Sequence, residues 1–364
     1  MEQDIFYFIC IELIYLLVFL LFNFTNSKLF YWLAYIIAGI KYSIAALNSI
    51  DIITYNKVYD SITQNGIKAH DTHGMEGGYL TLLYIAKQIY ISVSIIHFIT
   101  IFIVLLSINY LLDKFIPQKT GSRITLFFGF FAAGGELFSY LLRQLLSSSI
   151  VFFSIGLLLK NKNKKAFTMF LSSFIFHSIP IFFTPIFISS FFKTKRLKII
   201  VGFLMLLCVS VIISNTEVGS LLISSLTGES SVYSAKYLSY SSKEGFREAN
   251  RTGMFAFLML GYFIFILLFK FKKNLKNYLS ILYLCTIFAT LFSFYIEFIG
   301  AFWLSTRISF ISRMLVFVSN ILLTINLVKN SKLVITAIAI VVFMGSCLTI
   351  FKGYHSSGIY RLNF

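Results

Sequence analysis

The chain has 364 residues, of which 58% are hydrophobic, 18% aromatic and 12% charged, with a mean hydropathy of +0.85. Soluble domains carry about 25% charged residues, so this composition excludes that class and points to an integral membrane protein. The net charge of +17 comes from lysines and arginines clustered between apolar segments, a positive-inside pattern rather than a basic nucleic-acid-binding face, and no nucleic acid is expected as a partner.

About 20 residues of helix cross ~30 Å of hydrocarbon. Cutting the chain at its polar breaks predicts spans at about 4–22, 29–47, 92–112, 124–142, 144–159, 199–214, 253–270, 277–296, 307–328 and 333–351. The first span follows "MEQDIF", which has two acids and no basic region, so it is expected to remain rather than be cleaved as a signal. Segment 78–91, "GYLTLLYIAKQIYI", is short and wet at Lys87, and suits the interface or a dip into the bundle. Residues 166–192, interrupted by Pro180 and Pro185, suit a broken or re-entrant hairpin, a form confined to protein-lined sites. The expected class is therefore all-α, a polytopic membrane protein of about 10–12 transmembrane helices. With no internal repeat, residues 1–364 form one membrane domain. Cys10, Cys208, Cys285 and Cys347 lie in apolar segments without CxxC spacing, which argues for neither disulfides nor a metal site.

The basic clusters at 113–123, 160–165, 193–198, 270–276 and 329–332 belong on the cytoplasmic side. The long polar segments 48–77 and 215–252, which mix charges, belong outside. Residues 124–159 must then go out and return, which puts Arg143 and Gln144 at the outer turn of a tight helical pair.

An ionisable residue in a span costs ~2.5–3.5 kcal/mol on insertion scales and is usually paired or functional. Glu136 lies seven residues before Arg143, on the same helical face, and offers an ion pair; snorkelling of Arg143 to lipid phosphate fits its position equally well. His177, in "FIFHSIP", is placed to act as a base beside an outward cavity, or else to satisfy backbone groups freed by Pro180. Arg307 and Arg313, in "STRISFISRMLVF", are six apart and point to different helix faces, so one lines the cavity and the other snorkels. Arginine suits phosphate because its planar fork makes bidentate, charge-assisted bonds.

Asp51, Tyr55 and Tyr59 recur every four residues and form one stripe if helical, either a sugar-binding face or an interfacial helix. His70, His73 and Glu76 have metal-like spacing, but three glycines break the helix and no metal is expected. The second outer loop mixes Tyr233, Tyr237 and Tyr240 with Lys236, Lys243, Arg247 and Arg251, a composition for stacking on glycan or for anchoring at headgroup depth.

Four stretches in this order, Asp51 and Tyr55 followed by "EGGYLTLL" (76–83), "LLRQ" (141–144), "FHSIP" (176–180) and "RISFISRM" (307–314), resemble the EpsG-like branch of Wzy-type bacterial polysaccharide polymerases, which make O-antigen, capsule or exopolysaccharide. The resemblance implies a GT-C-like helical membrane fold in the bacterial cytoplasmic membrane. It also implies an undecaprenyl-diphosphate-linked oligosaccharide as substrate, membrane lipid as surroundings, a chain-length regulator and a flippase as partners, and no cofactor. Within that reading Arg143 and Arg307 stabilise the departing diphosphate and His177 takes the acceptor proton, with Asp51 and Glu136 competing for the base. Tyr55, Gln144, Arg313, Tyr237 and Arg247 complete the substrate contacts. A lipid-linked oligosaccharide flippase, an O-antigen ligase and a non-catalytic scaffold are the competing functions. A flippase should carry internal pseudo-repeats, and none is visible.

Overall fold

A computed structural model describes residues 2–63, 75–113, 117–177 and 332–356, with a few isolated positions beyond them. Chain contacts divide the protein into two units. The first comprises residues 1–160, 168–178 and 324–364, and almost everything described belongs to it. The described elements are α1 (Glu2–Thr25), α2 (Lys28–Ala46), α3 (Ile50–Ser61), α4 (Gly77–Gln88), α5 (Val93–Leu112), α6 (Gln118–Phe127), α7 (Phe131–Tyr140), α8 (Leu142–Leu159), α9 (Asn163–Ser172), a 3₁₀ turn (Ser173–Ile175) and α10 (Lys332–Ser356). The protein is an all-α, multi-pass membrane protein. Among the described helices α1, α2, α5, α8 and α10 are long and apolar enough to cross a bilayer. The spans expected at 199–214, 253–270, 277–296 and 307–328 lie outside the described residues.

Local chemistry starts and stops these helices. Asn26 takes a left-handed φ of 54° and ends α1, and the Ser27 hydroxyl then accepts from the Leu29 N–H to cap α2. Ser49 and Ser92 cap α3 and α5 in the same way, accepting from Ile52 and Ile95. Helix α4 closes with Tyr90 in the left-handed region. There the Tyr90 N–H bonds the Lys87 carbonyl and the Ile91 N–H bonds that of Ala86, the Schellman pattern that satisfies the last carbonyls.

Side-chain contacts give the relative directions. At one end of α5, Val93 and Ile96 share an apolar cluster with Leu142 at the start of α8. At the other end Tyr110 lies 5.4 Å from the Phe153 ring and beneath the Lys160 ammonium, 3.8 Å from the ring centroid. Thus α5 and α8 run parallel, and the basic clusters that follow Leu112 and begin at Lys160 leave the bundle at the same end. Arg123 reaches the end of α1 there, donating to the Asn23 carbonyl at 3.1 Å and to Asn26 Oδ1 at 2.8 Å. Lys332 donates to the Phe24 carbonyl at 2.8 Å. The opposite end holds α3, α4 and the first turns of α5 and α8. The chain reverses at Leu141, so Arg143 sits in the first turn of the return at the end opposite the basic clusters.

The single span expected over 124–142 is instead two helices, α6 and α7, separated at residues 128–130. Each has ten residues, about 15 Å of helix, too short to cross alone. A break inside hydrocarbon is tolerable only if protein groups satisfy the freed backbone, and here they do. Tyr15 donates to the Leu126 carbonyl at 2.6 Å, Tyr42 donates to the Phe128 and Phe130 carbonyls at 3.1 and 2.8 Å, and the Phe131 N–H donates to Glu12 Oε1 at 2.9 Å. Gly129 is required at this point because a Cβ would collide with the Tyr15 hydroxyl. The second oxygen of Glu12 pairs with Lys41. Both residues are fully buried, and Tyr15, Tyr42, Phe130 and Phe131 surround the ammonium with their ring centroids 4.4–5.8 Å away.

Candidate functional site at the reversal of the chain

Helix α3 presents Ile52, Tyr55 and Val58 inward, α4 presents Tyr79, Leu83 and Ala86, and the two faces close over Leu142 in one apolar cluster. The polar site is built at the edge of that cluster. Arg143, the second residue of α8, donates through Nε to the Tyr55 hydroxyl at 3.4 Å and through Nη1 to the Glu76 carboxylate. Its guanidinium carbon lies 5.7 Å from the Tyr55 ring centroid. Glu76 is the N-cap residue of α4, but its carboxylate is engaged with Arg143 and makes no capping bond. Asp51, one turn before Tyr55 on α3, lies within electrostatic reach of both Arg143 and Tyr79. The Arg143 and Glu76 side chains keep 11% and 14% exposure, so the pair is sheltered without being sealed.

Tyr79 stands 5.1 Å from the Tyr55 ring and is fully buried. Its hydroxyl has no hydrogen-bond partner among the described residues. Leaving such a group unsatisfied costs about 1–3 kcal/mol. Burial first, then repulsion from Tyr55, outweigh the opposing pull of Arg143, and with a lesser repulsion from Asp51 they hold the Tyr79 hydroxyl well above its ordinary pKa of 10, so it remains a proton donor.

The 3₁₀ turn before His177 is tied to the same place. Ser147, one turn after Arg143 on α8, donates to the Ser173 carbonyl at 2.9 Å. Phe176 packs against the Tyr55–Tyr79 cluster. Gly78 lets α4 approach this turn, since a Cβ there would lie 2.7 Å from the Ile175 carbonyl oxygen and overlap its side chain. His177 is buried, and its N–H reaches the Ser173 carbonyl at 3.4 Å. Helix α9 thus passes into the 3₁₀ turn before Pro180, within the segment expected to be broken.

The structure therefore brings Asp51, Tyr55 and Arg143 together, with Gln144 buried next to Arg143 and His177 following the packed Phe176. The Glu136 backbone is described within α7 but its side chain is not, while Arg307, Arg313, Tyr237 and Arg247 lie outside the described residues. The model of the EpsG family matches residues 31–364. The chain belongs to the EpsG family. No curated protein and no solved structure matches it. EpsG membership suggests a polysaccharide polymerase-type role for this multi-pass membrane protein.

The carboxylate that pairs with Arg143 in this EpsG-family chain, Glu76, stands out in the sequence only within a metal-like pattern and as the first residue of the stretch "EGGYLTLL". Glu76 and Tyr79 are three apart at the start of α4, the spacing that puts them on one face, and both stand in "EGGYLTLL". That spacing was the available signal. Glu12 and Lys41, single charges inside otherwise apolar spans, carried the signal of a buried pair and were not singled out.

Proposed function

We propose that this EpsG-family protein is a polysaccharide repeat-unit polymerase, acting at the outer face of a bacterial cytoplasmic membrane on undecaprenyl-diphosphate-linked oligosaccharides. The observation that carries the reading is the buried Arg143, held by Glu76 and Tyr55 at the bundle end opposite the basic clusters. The positive-inside rule makes that end external. Guanidinium groups fixed in a sheltered site stabilise charge developing on phosphate oxygens without reorganising at the moment of reaction.

In the proposed step, a hydroxyl oxygen of one lipid-linked repeat unit attacks the anomeric carbon of another glycan. The carbon–oxygen bond to the diphosphate breaks, and undecaprenyl diphosphate leaves with the electron pair. Arg143, with Arg307 as second guanidinium, receives the charge, and His177 takes the hydroxyl proton, Asp51 being the alternative base. Tyr55 and Gln144 contact the substrate beside Arg143; Glu136, Arg313, Tyr237 and Arg247 remain proposed contacts. The guanidiniums take the charge-stabilising role, so no metal is assigned to the step.

The deciding experiment compares polysaccharide and lipid-linked intermediates in cells lacking the protein and complemented with Arg143→Ala. A polymerase leaves lipid bearing a single repeat unit in the outer leaflet, whereas loss of a flippase strands it in the inner leaflet. Normal long-chain polysaccharide from well-inserted Arg143→Ala protein would refute the assignment.

A further inference from the structure

Unused donors stand in the first turn of α4 and on Arg143, which the Glu76 carboxylate ties to that turn. The first N–H groups of a helix have no intrahelical acceptor and carry partial positive charge. In α4 those of Gly77 and Gly78 have no protein acceptor among the described residues, because the N-cap side chain of Glu76 points to Arg143 instead. Gly77 is exposed, and its Cα faces open space with nothing within 4 Å of a Cβ position. The buried hydroxyl of Tyr79 follows in the same turn, without a partner. Arg143 engages Nε and Nη1, while Nη2 has no hydrogen-bond partner among the described residues.

We propose that the N-terminal turn of α4, the Tyr79 hydroxyl and the open edge of Arg143 form one cradle for the diphosphate oxygens of the lipid-linked substrate. This subsite rests on the polymerase reading and assigns substrate-binding donors to Gly77 and Tyr79. Helix N-termini bind phosphate through the same combination of free N–H groups and dipole. Glu76 stays on Nη1 while the ligand accepts from Nη2, so the bound anion and the carboxylate share the guanidinium. Negative charge from Glu76 and Asp51 moderates the attraction, which suits a site that must release undecaprenyl diphosphate after each addition.

The test uses the full chain in nanodiscs and measures undecaprenyl diphosphate binding against inorganic pyrophosphate and against phosphatidylglycerol in the surrounding bilayer. Tyr79→Phe keeps the ring on Tyr55 and removes only the hydroxyl. It should weaken undecaprenyl diphosphate binding about ten- to hundredfold, the worth of a hydrogen bond to a charged group, while the thermal midpoint of the ligand-free protein stays level or rises. Gly77→Pro deletes one N–H at a position where proline is favoured. Glu76, at ψ 144°, already has the extended backbone required before proline. This variant should weaken binding several-fold with the helix intact.

Unchanged affinity in Tyr79→Phe, or a lowered midpoint without ligand, overturns the cradle. If phosphatidylglycerol competes equally with undecaprenyl diphosphate, the site is a general anionic headgroup site and the diphosphate assignment fails. Should Arg143→Ala abolish polymer and binding while Tyr79→Phe retains both, the cradle falls and the polymerase reading stands. Normal polymer from Arg143→Ala would remove the polymerase reading, and weakened undecaprenyl diphosphate binding in Tyr79→Phe would then still support the cradle as a binding site.

Discussion

The Glu12–Lys41 pair offers a prediction whose size follows from its burial. Both side chains are fully buried, Glu12 Oε2 holds Lys41, and Oε1 accepts the Phe131 N–H that opens α7. Removing one partner of such a pair typically costs about 3–5 kcal/mol, because the other charge is left uncompensated. Glu12→Ala also orphans the Phe131 N–H, a further ~1–3 kcal/mol. Against a total stability of ~5–15 kcal/mol for an ordinary folded protein this is a large fraction. The double change Glu12→Gln with Lys41→Met behaves differently: the amide oxygen still accepts from Phe131, and the methionine fills the space between Tyr15, Tyr42, Phe130 and Phe131. It should recover to within ~2 kcal/mol of the native protein. The assay is fluorescence-detected size exclusion after heating in detergent. The expected order of midpoints is native protein, then the double variant, then Glu12→Ala and Lys41→Met singly, with a coupling term readable from the cycle. If either single variant were as stable as the double, the pair would not be holding the break between α6 and α7, and the account of that break would be wrong.

Arg143→Lys keeps a charge but cannot span Glu76 and Tyr55 with a planar fork, and should slow polymer formation in membranes about ten- to hundredfold; a native rate would mean that charge alone suffices. Gly78→Ala forces a Cβ into Ile175 and should cost about 1–3 kcal/mol in thermal stability, whereas Gly77→Ala, facing open space, should not lower the midpoint comparably. Equal midpoints for the two alanine variants would show that α4 does not rest on the 3₁₀ turn. His177→Ala should lower turnover more than donor binding, measured separately in single-turnover and binding assays, and equal loss of both would mark His177 as structural.

Long apolar helices are written locally, and α1, α2, α5, α8 and α10 fall close to the spans read from hydropathy. The break at residues 128–130 is not local. Its carbonyls and its N–H are satisfied by Tyr15, Tyr42 and Glu12, residues more than 80 positions away, and nothing within "TLFFGFFAAG" announces them. The same distinction applies to Arg143. Its place at a reversal followed from counting crossings between basic clusters, a property of the whole chain. Its ion-pair partner did not follow, because helical periodicity suggests Glu136 on the same face while the structure uses Glu76, 67 residues earlier and brought close by α4. Periodicity finds neighbours on one helix; it is silent about which of several charges a tertiary fold selects.

Two sheltered ion pairs among the described residues differ in what each leaves unused. At Glu12–Lys41 both carboxylate oxygens are engaged, four aromatic rings enclose the ammonium, and exposure is zero. Such a site has nothing left to offer a ligand and serves to close a helix break within the bundle. At Arg143–Glu76 the side chains remain partly exposed, one guanidinium nitrogen and the Tyr79 hydroxyl lack acceptors among the described residues, and the first N–H groups of α4 are uncapped. A folded protein seldom leaves several donors unmatched in one place, because each carries a desolvation cost. Their presence around a fixed arginine is therefore what distinguishes the reversal at Leu141 from the closed pair, and is the ground on which we propose it as the place where a substrate oxygen binds.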